Sequence, residues 1–392
     1  MTRNLSVFLI LAFTQISGWG MVGILPVLAP SIAVDLQTTL PTAFLGTAVM
    51  FAMTGLVAPV VGKAFGRFGA KKVMAVGAAL IGTGLATLSL TSSVPVYLAA
   101  WGAMGIAGAM FLTTAAYVYL ADFAEERARG LIGSLMLVTG LAGSVFWPLT
   151  AYLEHLVGWR ATTQVYAGAM VLIIMPLVLL GLPEARRAHK EQDVASAGAR
   201  RGGTFWFLVT AIALNSFVTF GMDAIGIALF RVLGADPAWA VGMASFLGVL
   251  KVCGRLIDLV GGKRWDALST GIVAGAMIPA GLLVLLAFGA TAGPVLACLL
   301  LFGIGSGAFA VARATMPLIF YKKAEYAAAM SVIALPMNLT NAMAAPILSG
   351  LLATSGAPAT LTVLVACSAA AFLLLLKLAT MRKQEIRPTA AI

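Results

Sequence analysis

Three ionisable side chains, Asp223, Lys251 and Arg313, stand inside long apolar runs. A charge at the centre of a membrane helix costs roughly 2.5–3.5 kcal/mol on insertion scales, so each of them needs a purpose. A carboxylate can carry a proton, a cation can hold an anion, and the two can pair. Asp223 precedes Arg231, at the outer end of its run, by two turns, which sets it about 12 Å below that end. Arg313 precedes Lys322 by a similar stretch and stands about 13 Å above the inner end. In a hydrocarbon layer of about 30 Å the two reach one level. Asp223 and Arg313 are therefore the leading pair, either functional, with Asp223 as the proton-coupling residue, or a structural ion pair that ties two helices together. Lys251, two turns before Asp258, stands about 10 Å from the inner boundary. There it either snorkels to the interface or presents its charge to a substrate. Two cations against one carboxylate favour a small organic anion, with Arg313 and Lys251 as its binding residues.

The uncharged candidates for the same site are Gln15, Trp19, Tyr117, Asn215, Asn338 and Asn341, with Thr113 and Thr219 beside them. A water-filled path would accept all of these. The competing use is helix–helix hydrogen bonding, worth about 0.6 kcal/mol on average in membranes.

These residues need elements that cross a bilayer. The chain is 61% hydrophobic and 10% charged, whereas a soluble domain carries about 25% charged residues. Too little polar surface exists to coat it in water. A spanning helix needs about 20 apolar residues. Stretches of that kind fall at 6–30, 42–62, 72–91, 95–120, 130–153, 162–182, 205–230, 238–258, 267–288, 294–320, 327–352 and 358–379. The expected fold is an all-α membrane protein of twelve transmembrane helices. They form two pseudo-symmetric six-helix bundles, 1–182 and 205–392, joined by a polar cytoplasmic linker at 183–204. The N-terminal apolar run continues through Pro26 and Pro30, too long for a signal peptide, so it reads as the first helix.

The net charge of +11 does not indicate nucleic acid, because the cations sit in short loops between apolar runs. Of the 25 Lys and Arg, Arg160 and Arg231 fall on one side and Lys251 and Arg313 within helices. All the others fall on the opposite side. The positive-inside rule makes that side cytoplasmic and puts both termini there. Cys253, Cys298 and Cys367 lie in or near apolar runs without ligand spacing and read as small, reduced apolar residues. No metal site and no cofactor is expected. Gly303, Gly305 and Gly307 fall inside an apolar helix and form no nucleotide loop, and no Walker motif is present. The helices hold no paired aspartates, Ser-His set or HExxH, so an enzyme is not expected. Short outer loops argue against a receptor.

A short basic turn occurs once in each half. Gly62 to Lys72 reads GKAFGRFGAKK, and Gly254 to Arg264 reads GRLIDLVGGKR. Gly62 matches Gly254, Gly69 matches Gly261, and the cations match at Lys63/Arg255, Lys71/Lys263 and Lys72/Arg264. Further on, Gly105, Phe111, Pro148 and Gly158 match Gly303, Phe309, Pro346 and Gly356. Two parallel repeats of this kind build a large class of transporters.

At these turns the sequence resembles the major facilitator superfamily, over nearly the whole chain. Gly62, Arg67, Gly69, Lys71 and Lys72 fit the basic loop motif of the superfamily. Gly66 stands where an aspartate is usual. The second copy keeps Asp258 but has Leu259 in place of the arginine. The resemblance implies that this aspartate caps a helix and pairs with charges on the cytoplasmic face. On that basis Arg67, Lys71, Asp122, Arg129, Arg255 and Asp258 are expected to gate. Asp122, Glu125 and Glu126 are expected as partners for Arg67, Lys71 or Arg129. The stretch from Trp147-Pro148 to Gly158-Trp159-Arg160 looks like bacterial members near the monocarboxylate and oxalate–formate branch, and like carriers described as arsenite exporters. Arg313 to Pro317 points the same way. The resemblance implies a secondary transporter of the bacterial inner membrane, monomeric, working by alternating access with proton or exchange coupling. Its partners would be a small-molecule substrate, lipid and protons. The runner-up reading is proton-driven efflux of a drug or a metalloid.

Overall fold

The computed structural model describes residues 2–124, 128–184, 203–261, 266–320 and 323–386. The expected linker therefore lies mostly outside the described residues. Among the described residues the regular structure is all helical. Helices suit lipid because they satisfy their own backbone polar groups. The chain divides into two compact units, Met1–Glu191 and Gln192–Ile392.

The first unit contains α1 (Thr2–Val22), α2 (Leu25–Asp35), α3 (Leu40–Phe68), α4 (Ala70–Leu90), α5 (Val94–Phe111), α6 (Thr113–Ala124), α7 (Ala128–Thr139) and α8 (Ala142–Ala169). After α8 the chain continues in wider π-helical turns to Gly181. Helix α4 packs against α5 and α8, and α3 against α5. Trp101, Tyr97, Phe44 and Phe111 are fully buried between them. One residue, Gly69, separates α3 from α4. Its φ of 85° and ψ of 145° are open to glycine and strained for a side chain. The basic turn is therefore as tight as a two-helix junction can be.

The second unit contains α9 (Gly203–Val232), α10 (Pro237–Gly261), α11 (Ala267–Phe288), α12 (Ala292–Thr315), α13 (Pro317–Phe320) and α14 (Lys323–Ile386). Helix α9 packs on α14, and α12 on α10 and α11. Phe205, Phe230, Phe302 and Phe309 fill its core.

Ten candidate membrane spans are found among the described residues, and two of them, Gly130–Gly181 and Pro336–Arg382, run to 52 and 47 residues. At 1.5 Å per residue a straight helix of either length would reach about 70 Å or more, over twice the hydrocarbon thickness. Each is broken at a glycine with left-handed φ. Gly158 has φ 77° and ψ 165°, and Gly356 has φ 76° and ψ −177°. These two glycines match in the sequence repeat, and they adopt the same backbone turn.

Several stretches that read as continuous are interrupted: at Gly23–Ile24, Leu112, Gly140–Leu141 and Met316. The apolar pattern carries through each interruption, so periodicity alone does not reveal it. At the first two, side chains from elsewhere satisfy the freed backbone. Trp147 Nε1 donates to Gly23 O at 3.0 Å, and Gln15 Nε2 donates to Phe111 O at 2.8 Å.

Asp266 begins α11. Its carboxylate accepts from Ser269 N at 2.7 Å and from the Arg382 guanidinium. Burial pushes this carboxyl up, but the Ser269 N–H and Arg382 outweigh it and hold it below its ordinary value. Replacing such a cap with alanine costs about 1 kcal/mol. We expect Asp266→Ala to lower the thermal stability of purified protein accordingly at neutral pH. A carboxyl with a depressed folded pKa stabilises above its unfolded pKa of about 3.9, and that contribution is lost as pH falls through the folded value. The gap between wild type and variant should therefore close under acid. A gap that stays constant through this range would show that the charge does not matter.

Candidate functional site

On α9, Ser216, Thr219 and Asp223 recur at three- and four-residue spacing and so share a face. The Asp223 carboxylate accepts a charge-assisted hydrogen bond from Lys251 Nζ of α10. The Lys251 side chain is 11% exposed and that of Asp223 39%. Two turns before Asp223, the Ser216 hydroxyl accepts from Arg313 Nη1 of α12 at 3.3 Å. Arg255, one turn after Lys251, lies within electrostatic reach of Arg313. Thus Lys251, Arg255 and Arg313 gather beside one polar face of α9.

The expected pair of Asp223 with Arg313 is not formed, because Lys251 takes the carboxylate. Residue counting placed Asp223 and Arg313 at one depth, but depth carries no azimuth. The flexible lysine stem also lets a residue rooted nearer the inner boundary reach Asp223. Ser216 was missed as the Arg313 partner, although its two-turn spacing from Asp223 was legible.

Glycines position the cations. A Cβ on Gly307 would lie 2.0 Å from Lys251 O, and one on Gly254 would lie 2.1 Å from Ile304 O. The backbones of α10 and α12 therefore touch next to Lys251 and Arg255. This contact fixes where those two side chains leave α10.

Asn215 is buried, and neither its Oδ1 nor its Nδ2 has a partner. The Oδ1 of half-buried Asn341 on α14 also lacks one. Gly221 of α9 meets Ala344 and Leu348 of α14. If successive spans alternate in direction, α9 and the first part of α14 run the same way. Asn215, lower on α9, then comes level with the stretch carrying Asn338 and Asn341. Asn338 is half-buried. Buried polar atoms without partners are rare and call for an explanation.

In the first unit, Gln15 and Trp19 are one turn apart on α1 and both bond to the break between α5 and α6. Gln15 donates to Phe111 O, and Trp19 Nε1 donates to Thr113 Oγ1 at 2.7 Å. Tyr117 lies one turn further along α6 and is half-buried. Sequence reading singled out Gln15, Trp19, Thr113 and Tyr117 separately. The structure brings Gln15, Trp19 and Thr113 together at one break.

The expected gating residues are less closely grouped. Lys71 pairs with Glu184 at 3.6 Å. Tyr119 Oη donates to Pro183 O at 2.8 Å nearby. The Arg67 guanidinium lies 5.3 Å from the centre of the Phe68 ring. Asp122 and Asp258 are half-buried. Glu125, Glu126 and the Arg129 side chain lie outside the described residues. At the far end of the first unit Asp35 accepts from Trp159 Nε1 at 3.0 Å and from Arg160 Nε at 2.9 Å. Arg160 also donates to Ser89 O at 2.7 Å. The Trp159-Arg160 stretch thus ties three helices.

A cavity of about 820 Å³ lies elsewhere in the second unit, lined by Phe230, Trp239, Met243, Phe246, Val295 and Leu299 among others. Its lining is apolar apart from Asp236, and it holds none of the clustered cations.

Comparison with known proteins agrees with this architecture. An uncharacterised MFS-type transporter of Bacillus subtilis (strain 168), YcxA, is 25% identical over 224 residues, covering 54% of each chain. The chain thus spans about half the length of that curated relative. Two crystal structures of a bacterial homolog to the human lysosomal transporter Spinster share the fold. The inward-facing, occupied form has a TM-score of 0.74 at 16% identity, covering 97% of both chains. The inward-facing, unoccupied form has a TM-score of 0.66 at 16% identity, covering 96% of this chain and 95% of the other. The profile of the Major Facilitator Superfamily matches residues 8–279. With its apolar spans, its repeated basic turn and that match, the chain belongs to the Major Facilitator Superfamily of membrane transporters.

Proposed function

We propose that this transporter moves a small organic anion by alternating access, with Asp223 coupling transport to protons or to exchange. The observation that carries the reading is the state of Arg313. Among the described residues its hydrogen-bond partner is a neutral hydroxyl at 3.3 Å, while the nearby carboxylate is held by Lys251. A second arginine, Arg255, adds to the positive field. Guanidinium groups bind carboxylates through two parallel hydrogen bonds. A substrate carboxylate would supply the charge that Arg313 lacks. Asn215, Asn338 and Asn341 would then bind its neutral polar groups.

The test is a thermal-shift screen of the purified full-length protein against small carboxylates, neutral solutes and cationic drugs. A ligand at 100 times its Kd stabilises by about 2.7 kcal/mol. We expect a carboxylate to give the shift, and Arg313→Gln to weaken it by at least about tenfold, a loss of 1.4 kcal/mol. Full-rate transport of a neutral or cationic substrate by the Arg313→Gln/Lys251→Gln protein would end the anion reading and favour efflux of a drug or metalloid.

In the same reading the chain crosses the inner membrane twelve times as two six-helix halves. Folding back at Gly158 and Gly356 would turn the ten candidate spans into twelve. Both termini and the 183–204 linker would be cytoplasmic. In a cysteine-free background, Ala235→Cys should react with an impermeant thiol reagent in intact cells, and Ala195→Cys should not. The opposite pattern would reverse the orientation.

A further inference from the structure

We propose that the break between α5 and α6 is a subsite that recognises a hydroxyl group on the substrate, so that the transported anion is a hydroxy acid. The substrate being an anion rests on the reading above; the hydroxyl is read from this break alone. Three observations carry it. First, Gln15 is fully buried and aimed into the break. Its Nε2 is spent on Phe111 O, but its Oε1 has no partner. That oxygen can only accept, so it calls for a donor. Second, α6 starts at Thr113, and Leu112 O accepts from Ala115 N and Ala116 N. The amides of Thr113 and Thr114, ahead of these two, have no acceptor within their own helix. They call for an acceptor, and the helix dipole favours partial negative charge there. A hydroxyl is donor and acceptor at once and answers both. Third, the break borders accessible surface. Thr114 is exposed and Trp19, which bonds to Thr113, is half-buried.

The arrangement favours a hydroxyl over the alternatives. A second carboxylate would suit the α6 amides but would set a negative oxygen against Gln15 Oε1. An ammonium would suit Gln15 Oε1 but would face the positive end of α6. An apolar substituent would leave both groups unpaired. Sites that hydrogen-bond a substrate hydroxyl discriminate far better against its absence than apolar pockets do against a methylene.

The experiment measures binding by isothermal titration to purified full-length protein. The probes are matched pairs of carboxylates that differ by one hydroxyl: glycolate and acetate, lactate and propionate, malate and succinate. In wild type at least one hydroxylated member should bind about tenfold or more tightly than its partner. Gln15→Met removes the acceptor with little change in volume and should bring that ratio close to one. Because it also gives up the bond to Phe111 O, a second variant guards against misfolding. Thr113→Pro leaves the Gln15 bond to Phe111 O in place and removes one α6 amide at a first-turn position where proline is tolerated, together with the hydroxyl that accepts from Trp19 Nε1. Leu112, just before it, is already extended at φ −71° and ψ −163°, as a residue before proline prefers. This variant should reduce the ratio as well. Equal affinities within every pair in wild type, or a ratio unchanged in both variants, would overturn the hydroxyl subsite while leaving the anion reading in place. Binding by no member of any pair would remove the anion reading and this one with it.

Discussion

Lys251→Met should abolish transport and destabilise the second unit, and adding Asp223→Leu should restore the stability. The Lys251 side chain is 11% exposed and bonds the Asp223 carboxylate across α9 and α10. Removing one partner of a buried pair costs about 3–5 kcal/mol because a bare charge remains. Asp223 is 39% exposed, so water meets part of that charge and about 2 kcal/mol is the better expectation. Replacing both partners leaves no bare charge, and such replacement is often neutral or stabilising. Thermal unfolding of the four proteins in a double-mutant cycle measures the coupling directly. Transport read on the same four separates structure from coupling. If Asp223 couples protons to transport, the double variant recovers stability but not proton-driven uptake. Recovery of both would make the pair purely structural. A cycle with no coupling energy would mean that the two groups do not meet in the protein.

How much of this site was legible beforehand depends on the kind of information each residue carries. The apolar runs report length, and length reports depth, so Asp223, Lys251 and Arg313 were singled out as charges inside the membrane. Azimuth comes from how two helices pack, and no residue count contains it. Depth alone therefore points Arg313 to a carboxylate that Lys251 holds. The repeat was legible where it rests on backbone geometry. Gly158 and Gly356 match in sequence and turn through the same torsions. The break at Leu112 was not legible, because apolar residues continue through it without a proline or glycine at the site. What stabilises that break is remote in sequence, since Gln15 and Trp19 come from α1. Their one-turn spacing was a signal of a shared face, but not of what the face meets.

The other large effect should fall on one glycine of a matched pair and spare its counterpart. Gly62 and Gly254 occupy equivalent places in the two basic turns, and their sequences give no reason to treat them differently. Their surroundings do. A Cβ on Gly62 meets nothing within 4 Å, whereas one on Gly254 comes within 2.1 Å of Ile304 O and 2.9 Å of Ala308 N. Those are backbone atoms of α12 and cannot rotate aside as a side chain can. Gly62→Ala is therefore expected to be neutral or to stabilise by about 0.5–1 kcal/mol, the ordinary helix preference for alanine. Gly254→Ala must push α10 and α12 apart, and overpacking of this kind costs about 1–3 kcal/mol or more. Lys251 and Arg255 flank the contact, so their reach to Asp223 and toward Arg313 changes with it. Gly254→Ala should lose anion binding along with stability, and Gly62→Ala should keep both. Thermal unfolding and carboxylate titration on the two variants decide it. Equal behaviour of the two would mean that α10 and α12 do not cross as closely as Gly254 and Gly307 imply.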